Sequence, residues 1–378
     1  MEDIKMVDLK AQYAKLKPEL DAAFGAVMES MEFINGPQVN TFARSLEQYL
    51  QVSHAIPCAN GTDALQIALM ALQLPPGAEV IVPSFNYVSG AEVVALLGLK
   101  PVFADVLPDT FTIDPNSVRK VITEKTAAII PVHLFGQGAA MQEIMELAHE
   151  HDLYVIEDNA QSLGAVYVKP DEHEVKLGTI GHIGTTSFFP SKPLGGMGDG
   201  GAVFTNDDKL AEVIRKIANH GQSEKYKFST VGVNSRLDTL QAAMLDVKIK
   251  YVDEYNAARQ EIARFYDNAF AETAAVQAPH RAPYSSHVYH QYTITVDPEL
   301  RDGLKDHLRD NFIPSMVYYP EPLHLQEAYT YLGNKAGDFP VSEILSKSVL
   351  SLPMHSELKE DQLTYICQHV LDFVKRHA

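Results

Sequence analysis

Five short apolar runs limit what this chain can fold into. They are Glu79-Val80-Ile81-Val82-Pro83, Pro101-Val102-Phe103-Ala104-Asp105, Ala127-Ala128-Ile129-Ile130-Pro131-Val132-His133, Leu153-Tyr154-Val155-Ile156-Glu157-Asp158 and Thr186-Ser187-Phe188-Phe189. Each is continuously apolar instead of alternating, and helical patterns lie between them, so both faces of every strand need cover. That predicts an α/β fold with a mostly parallel sheet flanked by helices. In such sheets ligands sit beyond the carboxyl ends of the strands, and the residues with chemistry cluster there.

The 378 residues suit a large domain over 1–256 and a smaller α+β domain over 257–378. From Lys10 to Leu50 the pattern is helical, broken at Asn35-Gly36-Pro37. An amphipathic helix is expected from about Ser235, with Leu237, Leu240, Met244, Val247 and Tyr251 at three- and four-residue steps, running from one domain into the other. The smaller unit then reads as a helix, a strand over Val288–Val296, a helix near Leu304–Leu308, a strand over Ser315–Tyr319 and a terminal helix from Lys359.

A formal charge of -18 argues against non-specific binding to nucleic acid or an anionic membrane, and an anionic substrate would need a local basic pocket. The two cysteines, Cys58 and Cys367, stand far apart with no partner at redox or metal-ligand spacing, which is the usage of a reducing compartment. The start, Met1-Glu2-Asp3-Ile4-Lys5, lacks the regions of a signal peptide, and no apolar run reaches about eighteen residues. A cytoplasmic protein is expected.

Lys192 lies in Phe189-Pro190-Ser191-Lys192-Pro193, between an aromatic strand end and the glycine-rich run Gly195-Gly196-Met197-Gly198-Asp199-Gly200-Gly201. Two prolines stiffen that loop. An ammonium among apolar and backbone groups is partly desolvated, which favours the neutral amine, a nucleophile towards carbonyls. A surface lysine in a turn is the plainer reading. In Asn60-Gly61-Thr62-Asp63, Asn60 or Thr62 can cap a nearly all-apolar helix, whose free amides suit a phosphate; a simple cap with Asp63 answering the dipole is the alternative.

Asp158, leaving a buried strand in Glu157-Asp158-Asn159-Ala160-Gln161, needs a cation or donors. A ribose-binding role in a nicotinamide enzyme would require a G-x-G-x-x-G turn that the chain lacks. His133 reads as a hydrogen-bonded core residue more readily than as a base. Arg236 can fork an anion or pair with Asp238 or Glu254. Pro320-Glu321-Pro322-Leu323-His324 forms a rigid loop able to face the large domain. The groups around His149-Glu150-His151 and Glu172-His173-Glu174 read as solvated loops, and no metal site is expected.

A carbonyl-capturing lysine, a carboxylate, a phosphate cradle and an aromatic clamp together fit pyridoxal 5'-phosphate catalysis. The ordered set Val7-Asp8-Leu9, Asn60-Gly61-Thr62, Glu157-Asp158-Asn159-Ala160-Gln161, Ser187-Phe188-Phe189-Pro190-Ser191-Lys192, Asn234-Ser235-Arg236 and Tyr319-Pro320-Glu321-Pro322-Leu323-His324 resembles the DegT/DnrJ/EryC1/StrS sugar aminotransferases. The resemblance implies an aspartate-aminotransferase-like, type I pyridoxal-phosphate transferase fold. It also implies a homodimer with shared active sites, L-glutamate as amino donor and a keto nucleotide sugar as acceptor.

By the same resemblance Lys192 is the Schiff-base lysine, Asp158 the partner of the pyridine nitrogen, and Gln161 the group beside the ring. Gly61, Thr62 and Ser187 hold the phosphate, with Asn234 supplied by the other subunit, and Tyr87 stacks on the ring. Arg236, Tyr318, Tyr319 and His324 fall on the substrate side. Some relatives replace the lysine with histidine and are dehydratases, so Lys192 argues for transamination. Within the family the chain is similar to the aminotransferases of UDP-2-acetamido-2-deoxy-3-oxo-glucuronate, where an Arg at the place of Arg236 meets the sugar carboxylate. Where that subgroup has His-Tyr, this chain has Tyr318-Tyr319. A nicotinamide-dependent sugar oxidoreductase and a non-catalytic, cofactor-binding regulator remain the alternatives from other classes.

Overall fold

The computed structural model describes residues 3–377; Met1, Glu2 and Ala378, including the first two positions of the N-terminal stretch read above, lie outside the described residues. The main sheet uses seven strands: β1 (His54–Cys58), β2 (Glu79–Pro83), β3 (Lys100–Ala104), β4 (Thr126–Ile129) and β5 (Tyr154–Asp158) come first. After a short hairpin of β6 (Val166–Val168) and β7 (Glu174–Lys176) follow β8 (Ile183–Ser187) and β9 (Gly201–Thr205). Their order is β1-β9-β8-β5-β4-β2-β3. Neighbours from β3 through β8 are parallel, while β9 runs antiparallel to both β8 and β1.

The apolar runs earn their burial on both faces. Val80, Val82, Phe103, Ala128 and Ile156 enter one core with the helix Gly61–Ala71, while Ile81, Ala104, Ile129 and Val155 enter another with the helix Met141–Glu150. Alternate residues of one strand therefore serve two cores, which is why no polar face shows in the sequence. β1 was not anticipated: five residues with an internal proline carry a weak strand pattern, and Pro57 is tolerated because β1 lies at the sheet edge.

A hairpin of β10 (Gln222–Glu224) and β11 (Lys227–Phe228) precedes the long helical passage. That passage begins at Thr239, not Ser235: Ser235 is buried with its hydroxyl accepting the Ala59 N–H at 3.1 Å, and Asp238 stands as the N-cap residue. Helix Thr239–Lys248, a 3-10 turn over Ile249–Tyr251 and helix Val252–Phe270 then follow without a loop.

From Ile262 onwards the chain builds a separate core, filled by Tyr266, Tyr292, Leu304, Leu350, Ile366 and Val370. Its two strands, β12 (Tyr292–Thr295) and β13 (Val349–Leu352), pair antiparallel, with helices Pro298–Asp310 and Glu360–His377 against them. Two expected strands are corrected. The run from Val288 yields a strand only from Tyr292, because Tyr289 takes φ +49 and turns His290 and Gln291 out of the ladder. Ser315–Tyr319 contributes one isolated bridge, Met316 to Ser351, and then passes back towards the first core.

Candidate active site

The carboxyl ends of β5 and β8 and the amino end of helix Gly61–Ala71 surround one cavity of about 640 Å³. Nine of the anticipated residues line it: Gly61, Thr62, Tyr87, Asp158, Gln161, Ser187, Lys192, Tyr318 and Tyr319. Asn234, Arg236 and His324 do not.

Lys192 is fixed by its loop. Its N–H donates to the Phe189 carbonyl at 2.8 Å, and the Gly196 N–H donates to the Phe188 carbonyl at 2.7 Å. The loop folds so tightly that a Cβ on Gly195 would lie 2.1 Å from the Pro190 carbonyl oxygen, which restricts that position to glycine. Burial lowers the Lys192 amine to about 8, against a smaller opposing pull from Asp158. A substantial fraction is thus neutral near pH 8, when an ordinary lysine would be almost wholly protonated.

Asp158 ends β5 with one carboxylate oxygen accepting the Ala160 N–H at 3.0 Å. Burial pushes its carboxyl above the usual range, and the Ala160 N–H, Lys192 and His133 pull the other way. Behind it, His133 is fully buried. Its Nδ1 accepts the Ala139 N–H at 3.1 Å, so the remaining ring proton belongs on Nε2, which lies 2.8 Å from Glu157. Glu157 also accepts N–H groups from Gly178, Ile180 and Gly181. The core reading of His133 stands, and these donors answer the cost of burying that carboxylate.

At the opposite wall Asn60 is the helix cap, accepting the Asp63 N–H at 2.8 Å, and the Ala64 N–H goes to the Asn60 carbonyl. Among the described residues the amides of Gly61 and Thr62 remain as the unpaired donors of that first turn. The Thr62 hydroxyl meets the Ser89 hydroxyl at 2.9 Å. A Cβ on Gly61 would lie 2.6 Å from the Ser187 Cβ, so glycine lets the helix end close on β8 and leaves a cradle of amides and hydroxyls. Asp63 does not line the cavity; its charge lies towards Cys58, whose thiol burial and Asp63 together push up. An anion in the cradle therefore meets less repulsion from the Asp63 carboxylate.

The Gln161 amide is spent on both ends, accepting the Phe135 N–H at 2.7 Å and donating to the Tyr319 hydroxyl at 3.3 Å. Tyr319 packs 6.0 Å from Phe85 and 6.3 Å from Tyr87, centroid to centroid. Tyr87 is 58% exposed at the cavity wall, leaving a ring face available for stacking.

His324 lies elsewhere. It is buried, its Nδ1 2.7 Å from the Ser84 hydroxyl and its Nε2 3.2 Å from Glu343, so it braces the loop after β2. Arg236 lines a second cavity, about 380 Å³, with Arg44 and Arg215, and its guanidinium donates to Asn219 at 3.5 Å; it pairs with neither Asp238 nor Glu254. Asn234 is exposed. Sequence reasoning missed Asn86, Ser89, Phe135, His290 and Gln291 as cavity residues. His290 and Gln291 were hidden inside an apparent strand. Among the described residues no group of three or more His, Cys, Asp or Glu could hold a metal ion, and no helix is long and apolar enough to cross a membrane.

The residues present fit pyridoxal 5'-phosphate: a partly neutral lysine amine, a carboxylate at a strand end and an anion cradle share a space of suitable size. Solved structures agree with the fold. The chain matches the Streptomyces venezuelae DesV structure, described as a complex with a ketimine intermediate, at 37% identity and TM-score 0.95, covering all of both chains. It matches a DegT DnrJ EryC1 StrS aminotransferase from Brucella abortus at 41% identity and TM-score 0.91, covering 98% of this chain and 99% of that one. The Bacillus subtilis structure of ntda with bound cofactor PMP follows at 30% identity and TM-score 0.88, over 96% and 82%.

Among curated proteins it is 44% identical to the UDP-2-acetamido-2-deoxy-3-oxo-D-glucuronate aminotransferase of Pseudomonas aeruginosa, over 96% of this chain and 98% of that one. It is 38% identical to the dTDP-3-amino-3,4,6-trideoxy-alpha-D-glucose transaminase of Streptomyces venezuelae, over 99% and 97%. A "Pleiotropic regulatory protein" of Geobacillus stearothermophilus is 44% identical over the whole of both chains. The family model matches residues 14–371, and the chain belongs to the DegT/DnrJ/EryC1/StrS aminotransferase family.

Proposed function

We propose that the protein transfers the amino group of L-glutamate to the keto carbon of a nucleotide sugar, with pyridoxal 5'-phosphate resident in the 640 Å³ cavity. UDP-2-acetamido-2-deoxy-3-oxo-glucuronate is the substrate we favour, on the 44% identity to the Pseudomonas aeruginosa enzyme. A product of that kind would enter cell-surface polysaccharide. The observation that carries the reaction is the Lys192 amine, held near 8 in the same cavity as Asp158 and the free amides of Gly61 and Thr62.

When bound, the cofactor supplies an aldehyde and an electron-accepting ring. Lys192 Nζ would hold that aldehyde and, as a free amine, would move a proton at the donor's α-carbon and at the sugar carbon. Asp158, whose charged form the Ala160 N–H and Lys192 favour against burial, would hold a proton on the ring nitrogen. Gly61, Thr62 and Ser187 would hold the phosphate, Tyr87 would offer its ring face, and Gln161, hydrogen-bonded to Tyr319, would meet one edge. Tyr318 and Tyr319 flank the incoming sugar.

Asn234 and Arg236 point to a homodimer, since they lie outside their own cavity and would serve the partner's. Two exposed apolar side chains beside that segment, Ile34, which bridges to Asp238, and Val231, support such a face. The large domain is taken to end near residue 256, and the protein to work in the cytoplasm. Incubating the amino form of the loaded enzyme with UDP- and dTDP-linked keto sugars, and weighing the products, tests the reading. Amination of the 3-oxo-glucuronate is expected; amination of none would overturn it. The full-length match to a protein named as a regulator favours one second reading, a cofactor-binding regulator. That reading predicts cofactor binding with no spectral response to glutamate.

A further inference from the structure

We propose that His290 is a positioning residue for Lys192, its neutral imidazole accepting a hydrogen bond from the Lys192 amine whenever that amine is not bonded to the cofactor. The inference deepens the function proposed above and rests on it for the role given to Asp158.

His290 and Lys192 line the same cavity. His290 is 7% exposed, and its Nδ1 is fully enclosed without a hydrogen-bond partner. A buried ring nitrogen left unpaired is costly, so a retained one calls for a partner. Lys192 Nζ is likewise without a hydrogen bond among the described residues. An ammonium offers three donors and no acceptor, and a neutral imidazole offers one acceptor, so the two groups are complementary.

One other buried acceptor in the cavity wall, Asn86 Oδ1, also lacks a partner among the described residues, but it is His290 on which the charge of Lys192 acts. Gln161 is occupied at both ends, and Asp158 accepts from Ala160 and is reserved for the ring nitrogen. The remaining ionisable liners are Tyr87, Tyr318, Tyr319 and Asp199. Of these, Tyr319 is turned towards Gln161, and Asp199 and Tyr87 are exposed.

Burial keeps the imidazole neutral, and two cations assist it. Burial is the larger cause, and the charges of Lys192 and then Arg259 add to it, so His290 is held well below the usual histidine range. Arg259, on helix Val252–Phe270, is itself buried, and among the described residues its guanidinium meets only Asn256, at 3.4 Å. A histidine held neutral keeps an acceptor nitrogen, so it can hold the free amine without competing for its proton. The left-handed turn at Tyr289 is what takes His290 out of the expected strand and into the cavity wall.

The test uses cofactor-free protein, so it reads the residues without turnover. Competitive acetylation of Lys192 against pH, read by peptide mass, gives its midpoint in wild type, His290→Leu and His290→Gln. Loss of the acceptor destabilises the ammonium. His290→Leu should therefore lower the midpoint by ~0.5–1 pH unit and label Lys192 ~3- to 10-fold faster at pH 7, with His290→Gln restoring it. An unchanged midpoint in His290→Leu overturns the proposal.

Should His290→Leu not fold, Lys192→Ala reports from the other side. The ¹⁵N shifts of His290 should then titrate at higher pH than in wild type, and an identical titration overturns the contact. Failure here leaves the covalent capture of the cofactor by Lys192 untouched, because that is read separately by trapping with borohydride.

Discussion

Two lysines with depressed amines invite comparison. Burial drives both Lys192 and Lys248 down to about 8, yet their surroundings differ. Lys248, at the end of helix Thr239–Lys248, is 3% exposed and donates to the Gly195 carbonyl; its charged neighbour is the cation Arg259. Lys192, three residues before Gly195, faces a cavity of about 640 Å³, and its charged neighbour is the carboxylate Asp158. A depressed amine alone therefore does not mark a nucleophile. Space for a carbonyl, a carboxylate to complement it and an anion cradle within reach do. Lys248 instead ties the helix to the loop that carries Lys192.

The comparison breaks most sharply by exchange of roles. Lys192→Ala should lower amino transfer by at least ~10³-fold, whereas Lys248→Met should change kcat by less than ~10-fold, measured by product formation from glutamate. Asp158→Asn should come next, slowing the glutamate half-reaction ~10²- to 10³-fold while the cofactor still binds, as followed by stopped-flow absorbance. Gly61→Ala would drive a methyl into Ser187 and part the two walls of the phosphate cradle. Its expected cost is ~10- to 100-fold in cofactor Kd with kcat much less affected, read by spectral titration.

The smallest effect lies in stability. Charging Lys192 is disfavoured in the folded chain, so the unfolded chain binds more protons between pH 8 and 10.5, and folding stability rises with pH across that window. Lys192→Met should therefore stabilise the cofactor-free protein at pH 7 by about 2 kcal/mol, an advantage that shrinks above pH 8, measured by urea unfolding at several pH values.

The sheet and most of the cavity were legible in the sequence because each strand is buried on both faces and because strand ends carry unusual residues such as Asp158. Lys192 stood out for the same reason: prolines and glycines announce a loop whose backbone is fixed. His290 did not. It sits in an apolar, β-branched context that reads as strand, and only the positive φ of Tyr289, invisible in composition, turns it to the cavity. His324 misled in the opposite sense, since a histidine in a rigid proline loop suggests a ligand contact, whereas Ser84 and Glu343 hold it. Asn234 and Arg236 lie outside their own chain's cavity, Asn234 exposed and Arg236 in a second pocket with Arg44 and Arg215.

Borohydride reduction of the protein with pyridoxal 5'-phosphate, followed by peptide mapping, addresses the central contrast most directly. The cofactor mass should appear on the peptide carrying Lys192 and on no other. Its appearance on Lys248, or its absence from Lys192 in folded protein, would contradict the account.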